Sequence, residues 1–138
     1  MDLISLVTDN LTELLVKIIE FTEMREIILN ENIDNMHDSG FVPKDLAVDE
    51  FSDSLTYAIK EHIRNQRLVL CDSENVKFGT LGSFEVKAVA DEDAKMLLSE
   101  DRDLYLELQM EKLLENSVNR RFAAELLKHK EGKCSVFD

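Results

Sequence analysis

Leu11-Thr12-Glu13-Leu14-Leu15-Val16-Lys17-Ile18-Ile19-Glu20-Phe21-Thr22-Glu23-Met24-Arg25-Glu26-Ile27-Ile28 is the stretch whose reading decides the fold. With Ile4 and Val7 ahead of it, the positions Leu11, Leu14, Ile18, Phe21, Arg25 and Ile28 follow one another in steps of three and four. Such steps keep one seam of an α-helix turned toward a partner. Leu15, Ile19 and Ile27 widen the apolar stripe beyond what a two-helix seam needs. Nothing between Leu11 and Ile33 breaks a helix, so the pattern predicts an N-terminal helix over 1–35.

The polar run His37-Asp38-Ser39-Gly40 closes that helix on a glycine free to take positive φ. Phe41-Val42-Pro43-Lys44-Asp45 reads as extended, because a residue before proline is pushed toward β. A second helix is expected after Asp45 or Asp49 as cap, with Phe51, Leu55, Ile59 and Ile63 on its apolar face; turn and helix together occupy 36–66. Across 67–90 the character changes. Val76-Lys77-Phe78 and Phe84-Glu85-Val86-Lys87-Ala88 alternate around Gly79-Thr80-Leu81-Gly82-Ser83, which predicts a small β element that must lean on a helix or a neighbour. An acidic linker follows over 91–102, with a short helical turn at Ala94 to Leu98. A final helix over 103–132 bears a broad apolar face, and 133–138 reads as a loose tail. The helix-pairing seam is assigned to Leu11, Leu14, Ile18, Phe21 and Ile28 on the first helix. On the last helix it is assigned to Met110, Leu113, Leu114, Val118, Phe122 and Leu126.

These elements predict one mainly α domain over 1–138. Its long terminal helices pair as an α-helical hairpin or coiled coil, beside a middle amphipathic helix and a small β-hairpin. Composition agrees: 138 residues contain one proline and four glycines, too few for many short strands joined by turns. The net charge of −13 repels polyanions, so neither nucleic-acid binding nor membrane insertion is expected. The basic residues near the C-terminal end, Arg120, Arg121, Lys128, Lys130 and Lys133, read as offsetting a helix dipole. The N-terminus carries Asp2 where a secretory signal needs a basic region, so synthesis in the cytoplasm without a cleaved signal peptide is expected. Cys71 and Cys134 stand too far apart in sequence for a metal-binding or redox spacing.

Catalytic constellations are absent from the sequence. There is no Gly-rich phosphate loop, HExxH, GxSxG or calcium loop. His37, His62 and His129 read as surface residues, and acidic pairs such as Asp91 and Asp93 arise freely among 29 acids. No enzyme activity and no cofactor are expected.

One segment carries a likeness. Asn32-Ile33-Asp34-Asn35 ends the first helix, and Gly40-Phe41 and then Lys44-Asp45 follow at fixed distance. Leu104 to Lys130, with Gln109-Met110, Leu113, Glu115-Asn116-Ser117 and Leu126-Leu127, matches at the other end. In these residues the chain resembles the bacterial flagellar rod and hook proteins, and within them the proximal rod subunits of the basal body. The resemblance implies an assembly motif of Asn32, Ile33, Asn35, Gly40, Phe41, Lys44 and Asp45. It also implies export through the flagellar type III apparatus and packing with other copies and other rod proteins. The chain departs from the family at Asp38-Ser39, where Thr-Pro is usual, in its cysteines, and throughout 67–90. A second reading from size and acidity is a cytoplasmic helical adaptor or export chaperone. Val76 to Lys87 is similar to the β-hairpin of HU-type DNA-bending proteins, but Ala90-Asp91-Glu92-Asp93 replaces the basic arm that DNA bending needs.

Overall fold

The computed structural model describes the backbone of residues 3–80 and 83–130, with side chains from Asn10 onward within those spans. Eight elements follow in order: α1 (Leu3–Asp34), β1 (Lys44–Leu46), α2 (Val48–Asn65), β2 (Val76–Lys77), β3 (Glu85–Val86), β4 (Ala88–Ala90), α3 (Glu92–Glu100) and α4 (Arg102–Lys130). The fold is mainly helical. The N-terminal α1 packs against the C-terminal α4, and the strands form two small antiparallel pairs.

Within the described residues the two long helices run over Leu3–Asp34 and Arg102–Lys130; residues 1–2 and 131–132 of the expected spans lie outside the described residues. Gly40 sits at φ +76 in the turn after α1, with open space where a Cβ would project, so backbone conformation alone favours glycine there. The start of α2 differs from expectation. Its N-cap is Ala47, which makes no side-chain cap bond, while Asp49 and Glu50 lie in the first turn. The Asp45 carboxylate is instead engaged by Arg25 and Lys112, so it is not available to cap the helix. The acidic linker is also more ordered than expected. Asp91 caps α3 by accepting from the Ala94 N–H, and Glu92 and Asp93 then sit where a helix dipole favours negative charge.

The extended run from Glu85 to Ala90 serves two partners. Its first part pairs with β2, Val76 opposite Val86 and Lys77 opposite Glu85. Its second part pairs with β1, Lys44 opposite Ala90 and Leu46 opposite Ala88. Between them the Lys87 N–H donates to the Asn75 carbonyl, so the run is bonded almost without interruption. Strand pairs this short are marginal alone. They are held by an apolar cluster of Phe21, Leu46, Phe51, Val76 and Phe78, with Ile18, Met24, Ile28 and Phe84 against it. Phe21 and Phe51 stack with ring centroids 4.1 Å apart, and Phe78 and Phe84 stack at 5.3 Å. The β element therefore leans on α1 and α2.

Farther along the same pair, Asn10 of α1 reaches His62 and the Gln66 carbonyl at the C-terminal end of α2. With Phe51 beside Phe21 at the other end, α2 runs antiparallel to α1. His62 is buried there, contrary to the surface position expected of it. A smaller cluster of Met36, Ala94 and Tyr105 joins the end of α1 to α3 and the start of α4.

This arrangement corrects the expected seam. On α1, Leu14 and Phe21 are buried, Ile18 and Ile28 pack on the Phe21–Phe51 cluster, and Leu11 is half-buried. Their apolar face is thus spent largely on α2 and the strands. On α4, Met110, Leu114, Val118 and Phe122 are 58, 68, 57 and 67% exposed; Leu126 is exposed and Leu113 half-buried. The α4 residues that bury instead are Tyr105, Gln109, Asn116 and Ala123, spaced by roughly one or two turns along one face. The physical reason lies in α1: the face it offers α4 carries Thr22, Arg25 and Asn32, all buried, and polar groups need polar partners.

Candidate functional site

Asn32 is the centre of the junction between α1, β1 and α4. Its side chain accepts from the Lys44 N–H at 3.0 Å and donates to the Lys44 carbonyl at 2.7 Å, imitating one rung of a β-ladder. The same amide donates to Gln109 Oε1 at 3.0 Å, and the Tyr105 hydroxyl donates to the Asn32 carbonyl at 2.7 Å. That carbonyl lies in the last turn of α1, where backbone acceptors lack helical partners. Gln109 is wholly buried, and its Nε2 has no partner among the described residues.

Two helical turns before the Asn32 level, Arg25 meets β1. Its Nε and Nη2 donate to the two oxygens of Asp45 at 2.9 and 3.0 Å, a planar two-point contact that suits a guanidinium. Lys112 of α4 reaches the same carboxylate at 3.1 Å and Asp91 at 2.6 Å. Glu115 stands 3.6 Å from Arg25. Burial pulls the Arg25 and Lys112 pKa values down, yet their carboxylate partners outweigh it and both end raised. Burial pushes Asp45 up, yet Arg25 and Lys112 hold it below the usual carboxylate range. Burial, with the nearby Asp91 charge, pushes the Tyr105 hydroxyl up to about 12. The clasp continues along α4, where Asn116 donates to the Thr22 carbonyl at 2.7 Å and Arg120 meets Glu26 at 2.6 Å.

The expected motif residues divide into two groups. Asn32 and Asp45 hold the clasp, and Lys44 takes part through its backbone while its side chain is exposed. Ile33, Asn35 and Phe41 are half-buried around the turn, and Gly40 is exposed at its tip. The structure does not bring these four to the Arg25–Asp45 pair. Apolar spacing puts Arg25 in a seam and does not single out Tyr105, Lys112 or Thr22. A signal for them existed: Tyr105, Gln109, Lys112 and Asn116 recur in steps of four and three, a seam written in polar residues.

Beside the clasp, an open groove of about 550 Å³ is lined by Arg25, Asp45, Lys112 and the acidic first turns of α2 and α3. Among the described residues, no group of three His, Cys, Asp or Glu side chains is placed to hold a metal ion. No described helix is long and apolar enough to cross a membrane. The arrangement can fasten two helices and a strand through charge and amide contacts. No protein-family model, curated protein or solved structure matches the chain.

Proposed function

We propose that the chain is a structural subunit of the bacterial flagellar basal-body rod, exported through the flagellar type III apparatus and assembled by helix–helix packing. One observation carries the reading. Helix α4 uses its polar face to dock on α1 and leaves Met110, Leu114, Val118 and Phe122 in solvent. Runs of large apolar side chains on a soluble surface mark interaction sites. The Asn32-to-Asp45 motif supports the same reading through its likeness to rod and hook proteins. Its role in an assembling subunit would be to fix the angle at which α4 leaves the α1 end. The role is architectural and involves no catalysis or cofactor.

Deletion of the gene in a flagellated cell that encodes the chain tests this. The expected result is loss of rods and motility, with the tagged chain recovered in isolated basal bodies on complementation. If the tagged chain stays in the cytoplasm while export of another protein falls, the adaptor or chaperone reading replaces this one.

A further inference from the structure

Two exposed patches on different helices are complementary in charge. On the C-terminal half of α2, Ile59 and Ile63 are 44 and 69% exposed, and the exposed Lys60 and Arg64 lie beside them one turn apart. On the N-terminal half of α4, Met110 and Leu114 are exposed beside the exposed Glu107 and Glu111. Each patch is an apolar pair one turn apart with two like charges at its side. One is basic and the other acidic. Among the described residues none of these four charged side chains makes an ion pair within the chain. Helix α2 packs over Phe21 and Asn10, whereas α4 packs over Thr22 and Asn32, so the two patches do not meet within one molecule.

We infer that the α2 patch of one copy docks on the α4 patch of a second copy, head to tail. Because the two surfaces differ, a copy that gives its α2 patch to one neighbour keeps its α4 patch for another, and the contact repeats along a chain of copies unless rotation closes it into a ring. Apposing α4 with α4 in parallel would instead set Glu107 and Glu111 against their own copies, which like-charge repulsion disfavours. About two helical turns on each side bury less than the roughly 1,200 Å² of a stable pair. A single contact is therefore weak, and association rises with concentration. The inference deepens the assembly reading by naming a contact and its polarity; the experiment addresses the contact separately.

The test is charge exchange in the full chain, followed by sedimentation over a dilution series, with circular dichroism as a check on folding. Lys60→Glu with Arg64→Glu makes both patches acidic; Glu107→Lys with Glu111→Lys makes both basic. Each variant alone is expected to associate about tenfold or more weakly than the original chain, since two charges are reversed at one contact. An equal mixture is expected to associate again, because each patch then finds its opposite on the other variant. The inference is overturned if either variant associates as well as the original chain or if mixing restores nothing. It is also overturned if the original chain forms a closed dimer that only the α4 variant disrupts. In each such case rod incorporation in cells still decides the broader reading by itself.

Discussion

Arg25 and Asp45, twenty residues apart in sequence, form a two-point ion pair at 2.9 and 3.0 Å that ties the middle of α1 to the first strand. Both side chains are largely shielded from water. Lys112 completes the group from α4, so three elements share one carboxylate. Such a group holds the terminal helices at a fixed angle while contributing little apolar burial between them.

Replacing Asp45 with Asn leaves two cations facing a neutral amide. Breaking a buried pair from one side costs about 3 kcal/mol. Urea unfolding followed by circular dichroism is expected to show a loss of that order for Asp45→Asn. A loss under about 0.5 kcal/mol, the range of ordinary surface changes, would remove the clasp from the account.

The same carboxylate sets an acid limit. Its folded pKa lies below the ordinary 3.8, so its contribution is present above that value and is lost as pH falls through the folded pKa. Acid unfolding of the original chain is expected to be steep in that window, and flatter in Asp45→Asn. Arg25 and Lys112 work in the opposite sense. Their raised values mean stability held below the unfolded pKa and lost only as strongly alkaline solution deprotonates the folded lysine.

Tyr105 gives a separate alkaline signature. Its folded pKa of about 12 lies above the ordinary 10.0, so its contribution holds below pH 10 and is lost as pH rises toward 12. Ultraviolet titration is expected to show a late tyrosine ionisation that vanishes in Tyr105→Phe. That variant also strands the Asn32 carbonyl and should lose about 1 kcal/mol.

Phe51 is the keystone of the second interface, stacked on Phe21 and within 6.3 Å of Phe78. Phe51→Ala is expected to cost about 3–5 kcal/mol. Strand and helix signals should be lost together in one transition, because strands and helices share one apolar cluster around Phe51. Separate transitions for the β element and α1 would contradict the shared core.

How much of this was legible follows from what each residue type reveals. The helices were, because spacing such as Leu14, Ile18 and Phe21 fixes a periodic face whatever covers it. The turn at Gly40 and the extended Pro43 region were legible for equally local reasons. Which face meets which helix was not. Apolar periodicity gives a stripe and no address, so the α1 stripe, which packs mainly on Phe51 and the strands, was assigned to α4. The α4 stripe reads as half of a helix pair, because a burial pattern looks the same whether a neighbour or the same chain covers it. Asn32 and Asp45 were reached through family likeness, whereas Lys112 and Tyr105 meet Asp45 and Asn32 across more than sixty residues of sequence. His62 was misplaced because a histidine on a charged helix gives no sign of the Asn10 that shelters it.

In the proposed rod the outward face of α4 is covered by neighbouring subunits, and Leu114→Gln with Phe122→Gln puts that covering to the test. Both side chains are about two-thirds exposed, so the purified variant is expected to match the original chain in helicity and in urea stability to about 0.5 kcal/mol. Introduced into flagellated cells that lack the original gene, it is expected to leave them without complete rods and non-motile. Full motility with the doubly substituted chain built into basal bodies would show that subunit packing does not use this face.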